Sequence, residues 1–177
     1  TDMLPDIASG NKGATAGAVS SAFNLGTTAS PLSVSKDGAG GTASVLDLIV
    51  DMGTVLDEAN CPEAGRFLVI PARMAGLIKK SELKDASLVG DSISVIRNGR
   101  LGMIDRFTVY TSNNLYNASS KWTIPAGTRD AISFASQITN VETLRSTSTF
   151  GNIMRGLNVF GFKTVKPEAL VTAIVTK

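Results

Sequence analysis

The stretch that most restricts this chain is residues 1–42. Its bulk, "ASGNKGATAGAVSSAFNLGTTASPLSVSKDGAGG", is dominated by Gly, Ala, Ser and Thr, punctuated by Phe23, Leu25, Leu32 and Val34. Such a segment buries too little apolar surface to offset the entropy lost on ordering, so it cannot hold a core alone. It has to lie against something else, extended and with brief strands. A monomeric domain rarely begins with so long an irregular stretch.

The core must come from the rest. At 177 residues the chain fits one domain, or one domain and a lobe. Aromatics make up only 6%, so the core is aliphatic. Thr42 or Ser44 caps an amphipathic helix in which Val45, Leu46, Leu48, Ile49, Met52, Val55 and Leu56 fall at helical spacing. Asp47, Asp51, Asp57 and Glu58 take its other side, with Asp47 in the first turn where the helix dipole favours an anion. Asn60-Cys61-Pro62 ends it.

Arg66–Ile70 is a continuous apolar strand, expected to be covered on both faces. Pro71 stops it and opens a helix over 72–80, with Met74, Leu77 and Ile78 on one face and Lys79-Lys80 in its last turn. Residues 81–92 read as irregular. Ser92–Ile96, Asn98-Gly99 and Arg100–Ile104 predict a hairpin. Asp105-Arg106 breaks before a strand at Phe107–Thr111. Trp122–Ile124 predicts a strand, Pro125-Ala126-Gly127 a turn, and Ala131–Ile138 and Asn140–Arg145 two further strands. "STSTFGN" reads as a turn, Gly156–Val165 as a weakly alternating strand, and Leu170–Val175, after Pro167, as a final buried one. The sum is an α+β chain of two helices and roughly seven or eight strands.

Chemistry finds no anchor. There is no His, which removes Ser-His-Asp and Cys-His catalysis and His-based metal sites. The single Cys61 can form neither an internal disulfide nor a Cys-rich zinc site. The net charge of +2 is too small to argue for nucleic-acid binding by bulk charge. No apolar run approaches the roughly 18 residues of a membrane span, and no basic-then-apolar leader begins the chain. The expected compartment is a cytosol, or a particle assembled in one. Asn117-Ala118-Ser119 is then a chance sequon.

Gly38-Ala39-Gly40-Gly41-Thr42-Ala43 fits G-x-G-x-x-A before a helix, but a dinucleotide site needs a buried strand just ahead, and "PLSVSKD" is polar and short. Ser81-Glu82-Leu83-Lys84 and Ser33-Val34-Ser35-Lys36 fit S-x-x-K. The S-D-N and K-T-G elements that would complete a Ser/Lys hydrolase are missing. Asp47, Asp51 and Glu58 read as the wet face of a helix. In "FTVYTSNNLYNAS", Thr111 and Ser112 have no evident activating base. Asn113 and Asn114 are suited to satisfying backbone groups where a strand ends. No catalytic, cofactor-binding or metal-ligating residue is expected.

Three ordered segments carry a resemblance. They are "VLDLIVDMGTVLDEANCPEAGRFLVIPARMAGLIKKS", then "GRLGMIDRFTVYTSNNL" with "IPAGTRDAISFA", then "NVETLRSTSTFGNIMRGLNVFGFKTVKPEALVTAIVT". Together they resemble the C-terminal half of tailed-bacteriophage major capsid proteins of the Hong Kong 97 fold. "GNKGATAGAVSSAFNLGTTASPL" is similar to mid-chain loops of some podophage-type shells. The resemblance implies an axial domain, a mixed sheet flanked by helices, at residues 43–139. It implies peripheral-domain long strands at 140–166 and a return to the axial domain at 167–177. Residues 1–42 would be a remnant of the N-terminal part and peripheral domain. Members of the family are longer and start with an arm, an extended loop and a spine helix; the chain is therefore expected to be a fragment.

The resemblance further implies a non-enzymatic structural protein that self-assembles into an icosahedral shell around double-stranded DNA, without sequence specificity and without a membrane. Its partners would be copies of itself in capsomers, with scaffolding and portal proteins, and its place the virion capsid, assembled in the host bacterial cytoplasm. Candidate interface residues are Arg100, Arg106, Tyr116, Arg145, Phe150 and Arg155, since Arg and aromatics most often anchor interfaces. Other shell or virion proteins (a nanocompartment shell, a tail or decoration protein) remain the nearer alternative, and a small Ser/Lys hydrolase the remote one.

Overall fold

The computed structural model describes residues 6–81 and 101–176. The elements run β1 (Val34–Ser35), β2 (Ala43–Ser44), α1 (Val45–Glu58), β3 (Arg66–Ile70), α2 (Ala72–Lys80), β4 (Met103–Ile104), β5 (Phe107–Thr111), β6 (Asn117–Ala118), β7 (Lys121–Thr128), β8 (Ile132–Arg145), β9 (Asn152–Thr164) and β10 (Leu170–Thr176). A mixed six-stranded sheet has the order β10-β7-β3-β5-β4, with β6 beside β7. β3 and β5 are parallel; the other ladders of this sheet are antiparallel.

α1 forms where the apolar period predicts. Ser44 is its N-cap, its hydroxyl accepting from Leu46 N at 3.3 Å. Asn60, at a left-handed φ of 55°, turns the chain out of the helix ahead of Pro62. Val45, Leu48, Ile49, Met52, Val55 and Leu56 are buried against Leu68 and Ile70 of β3, Phe107 of β5, Ile124 and Ala126 of β7, and Val171, Ala173 and Val175 of β10. Met74, Ala75 and Ile78 of α2 close the same cluster. β3 is fully buried at Arg66, Leu68 and Ile70 but only half-buried at Phe67 and Val69, so one of its faces is covered less than the continuous apolar run implied.

Pro125-Ala126-Gly127 is not a turn. β7 runs straight through it, with Pro125 opposite Thr172 and Gly127 opposite Leu170. Pro125 sits where the β3 ladder has just stopped, the kind of place where a strand accommodates a residue without an N–H. Gly127 is needed because a Cβ there would collide with the Ala169 carbonyl and come within 2.8 Å of Leu170. Asp105-Arg106 and Ser119-Ser120 are two-residue hairpin loops, each with both residues at positive φ, joining β4 to β5 and β6 to β7. Asn113 does satisfy a backbone group, its Oδ1 accepting from Ala72 N at the start of α2 (3.3 Å). At Asn114 the roles are reversed: its own backbone N–H donates to Ser112 Oγ at 3.2 Å.

The glycine- and alanine-rich N-terminal stretch lies along the outer edge of β10. Ile174 N donates to Leu25 O (2.8 Å), Leu32 N to Ile174 O (2.9 Å) and Thr176 N to Leu32 O (2.8 Å). Buried Asn11 donates from Nδ2 to Glu168 O (2.6 Å) and Leu170 O (2.9 Å). The segment borrows the sheet's core and in return covers an edge that would otherwise invite foreign strands.

β8 and β9 form a separate antiparallel ribbon. The strands expected at Ala131–Ile138 and Asn140–Arg145 are one strand, with a register shift between Ile138 and Asn140, and β9 begins ahead of the Gly156 start expected for it. Ile7, Ala131, Ala169 and Leu170, with Ile132 and Phe67 packed on them, make a small second cluster at its base.

Candidate subunit interface

Among the described residues the ribbon has almost no cover. All of β8 except Ile132 and Glu142, and all of β9 except Thr164, is exposed. The exposed side chains include Phe134 (65%), Ile138 (70%), Met154 (74%) and Phe160 (62%). An isolated two-stranded ribbon is at best marginal in water, and contiguous apolar surface of this kind marks an interaction site.

The register sorts the side chains, because directly opposed residues share a face and alternate along each strand. Phe134 is opposite Phe162, Ser136 opposite Phe160 and Ile138 opposite Asn158. The rings of Phe134 and Phe160 lie 6.4 Å apart, as a diagonal pair on one face should. Thr139 is then the extra residue of a bulge, and Asn140 opposes Leu157. Beyond it Val141 joins the phenylalanine face, while Glu142 moves to the other face, opposite Arg155, with which it pairs. Without the bulge, Glu142 would project among the phenylalanines.

The candidate interface residues fall in two places. Arg145, Phe150 and Arg155 belong to the ribbon and its tip; Phe150 is fully exposed (102%). Arg106 and Tyr116 belong to the sheet domain, where Tyr116 is 47% exposed. Arg106 is already engaged within the chain, donating to Asp57 Oδ2 and pairing with Glu63 Oε1, each at 2.8 Å. Arg100, the hairpin predicted around Asn98-Gly99, and Lys84 of the S-x-x-K match lie outside the described residues.

A residue whose importance the sequence did not betray is Arg66. It is 1% exposed. Its guanidinium donates to Pro62 O (2.9 Å), Cys61 O (2.8 Å) and Asp57 Oδ1 (2.7 Å), and reaches Gly53 O at 3.4 Å. The fork thus holds the last turn of α1 and the loop after it against β3. Partial burial pushes the Asp57 carboxyl up, but the hydrogen bonds and charges of Arg66 and Arg106 outweigh it and hold the group below its ordinary range. Glu58 is no idle member of a wet face either. Its Oε2 accepts from Val19 N (2.9 Å) and Ser20 N (3.1 Å), fixing the N-terminal loop on α1.

No catalytic arrangement is assembled among the described residues. Ser81 Oγ is buried and donates to Ile78 O at 2.6 Å, finishing α2. Ser35 Oγ accepts from Gly38 N at 2.9 Å, and Lys36 pairs with Asp37. The glycines Gly38 and Gly40 stand at left-handed φ and shape the loop into β2. No group of three or more potential metal ligands occurs among the described residues, and none of the described helices is long and apolar enough to cross a membrane.

A sheet domain with a buried aliphatic core and a long apolar ribbon uncovered among the described residues points to the class: a structural protein rather than a site of chemistry. The family model described as phage capsid protein matches residues 2–173, and the chain belongs to that family. A solved structure from Mycobacterium phage Che8 is 29% identical, with a TM-score of 0.66 over 80% of this chain and 53% of that one. The capsid structure of the cyanophage P-SCSP1u, 14% identical, shows the same fold at a TM-score of 0.59 over 82% of this chain and 52% of that one. The fold is therefore the Hong Kong 97 fold that the ordered segments resemble. The chain spans about half the length of these solved chains. No match is found among curated proteins.

Proposed function

We propose that this chain is the C-terminal portion of a major capsid protein that self-assembles into the icosahedral shell of a tailed bacteriophage around double-stranded DNA. The carrying observation is the β8–β9 ribbon, whose apolar side chains have no cover among the described residues. The mechanism is burial of complementary surface among many copies, each interface modest, summed over a closed shell. Family membership supports the structural role. In this reading residues 43–139 and 167–177 are the axial domain and 140–166 the peripheral strands. Arg145, Phe150 and Arg155 meet neighbouring subunits, and Tyr116 meets them at the capsomer. Arg106 acts first within its own chain, through Asp57 and Glu63.

Scaffolding and portal proteins are the expected helpers, the host bacterial cytoplasm the place of assembly, and the virion capsid the destination. The DNA is held as enclosed polyanion, without sequence readout. The subunit does this without catalysis. Electron microscopy of the full-length subunit expressed in bacteria with its scaffold tests the reading: closed shells are expected, and only soluble monomers with no capsomers would overturn it.

A further inference from the structure

The ribbon joins the sheet domain through two short turns that touch each other, Arg129–Ala131 on the way in and Pro167–Ala169 on the way out. The returning chain is tied to a single carbonyl of the incoming one: Ala131 O accepts from Val165 N at 2.8 Å and from Lys166 N at 3.3 Å. Few side chains are buried at this root. Ala131 and Ala169 are small, and Leu170 opens β10. The other large one is Ile7, which comes from the N-terminal segment. The same segment fastens the outgoing turn. Ala8 N donates to Pro167 O (3.3 Å), and Asn11 Nδ2 donates to Glu168 O (2.6 Å) and Leu170 O (2.9 Å). Asn11 is 2% exposed, so its amide is committed to these carbonyls. The sheet domain adds the partly buried Phe67 and Cys61, whose Sγ is a weak donor to Glu168 O at 3.3 Å. Neither Ile7 nor Asn11 belongs to the core around α1.

We infer that residues 7–11 are a brace that sets the angle between the ribbon and the sheet domain. Two hydrogen bonds onto one carbonyl make a pivot: they fix where the ribbon is attached and leave its direction open. Ile7, Ala8 and Asn11 add fixed points on Pro167, Glu168 and Leu170, which is what a direction requires. The lever makes the angle matter. Strands of 14 and 13 residues are roughly 45 Å long, so a swing of about 10° at the root carries the tip about 8 Å. The brace also gives the glycine- and alanine-rich segment a second task beside covering the β10 edge, in a part of it that touches the ribbon's return and not the α1 core. Its consequence rests on the proposed shell-building function: the angle between the two parts sets the curvature that subunits build, and without the brace shells close at more than one diameter.

The distance between two spin labels in the dissociated full-length subunit tests this. In a Cys61→Ser background, whose hydroxyl keeps a donor near Glu168 O, Lys80→Cys on α2 and Gln137→Cys on β8 carry the labels; both positions are exposed. The distance distribution is expected to be narrow, and to at least double in width when Ile7→Ala and Asn11→Ala are added. Glu58→Ala frees the same N-terminal segment at Val19 and Ser20 instead, and is expected to leave the width unchanged. An unchanged width in the double variant overturns the brace, because other parts of the subunit then hold the ribbon. Equal widening in Glu58→Ala overturns it too, since any loosening of the segment would then do. Should the double variant fail to fold, Asn11→Ala alone is read in the same way. Electron microscopy of shells reads the consequence separately. Mixed diameters are expected from the double variant, and a single wild-type diameter denies that the brace sets curvature. Unsubstituted subunits that form no shells overturn the shell-building function and leave the distances to decide the brace.

Discussion

At the scale of single residues, Arg66 and Asp57 hold more of the fold than any other polar pair described. Arg66 is a cation without solvent, satisfied by three carbonyls and one carboxylate. Arg66→Ala leaves those carbonyls short of donors and opens a void beside Gly53, so it is expected to cost about 3 kcal/mol in urea denaturation. Arg66→Lys is expected to recover little, because an ammonium cannot serve several acceptors through a rigid fork. Asp57 carries the pH dependence. Its folded pKa is depressed, so its contribution is fully present above the unfolded value near 3.8 and is lost as pH falls through the lower folded value. Asp57 is 38% exposed, so solvent screens part of the effect. Asp57→Asn should melt below the wild type at pH 7, and the two melting curves should converge on acidification below about pH 4. A gap that stays constant with pH would remove Asp57 as the source. No local pattern announces this network: an Arg opening an apolar strand looks like a boundary residue, and most of its acceptors are backbone carbonyls, which no motif encodes.

At the scale of elements, local rules were enough for the helices and not for the strands around Pro125. α1, β3 and α2 follow from apolar period, cap and proline, all properties of a dozen neighbouring residues. β7 does not, since Pro125 and Gly127 have turn chemistry locally. Only the β10 backbone lying against Gly127 explains the glycine. Likewise, Phe134 and Phe160 show as apolar in sequence, but their exposure depends on what is absent above them, which periodicity cannot report. Two tests belong here. Asn11→Ala removes both bonds that fasten the N-terminal segment to Glu168 and Leu170, and should cost about 1–3 kcal/mol with faster amide exchange along β10. Inserting one Thr between Leu157 and Asn158 gives Thr139 a partner, removes the bulge and turns Glu142 and Leu144 towards the phenylalanine face. The insertion should leave the thermal melt of the sheet domain within a few degrees of wild type and abolish assembly. Unimpaired shells would show that the bulge does not set the faces.

At the scale of the whole molecule, the chain divides its apolar residues between two tasks. The aliphatic set around α1 stabilises the sheet domain, and the exposed set on the ribbon is, in the proposed reading, the surface through which subunits assemble. Assembly and folding should therefore be separable by substitution. Phe160→Asp measures this most directly, because Phe160 is 62% exposed, touches Phe134 and belongs to neither buried cluster. The measurement is sedimentation velocity of the full-length variant beside its thermal melt. The account predicts a melt close to wild type and a complete loss of shell-sized particles. Shells in wild-type yield would contradict it.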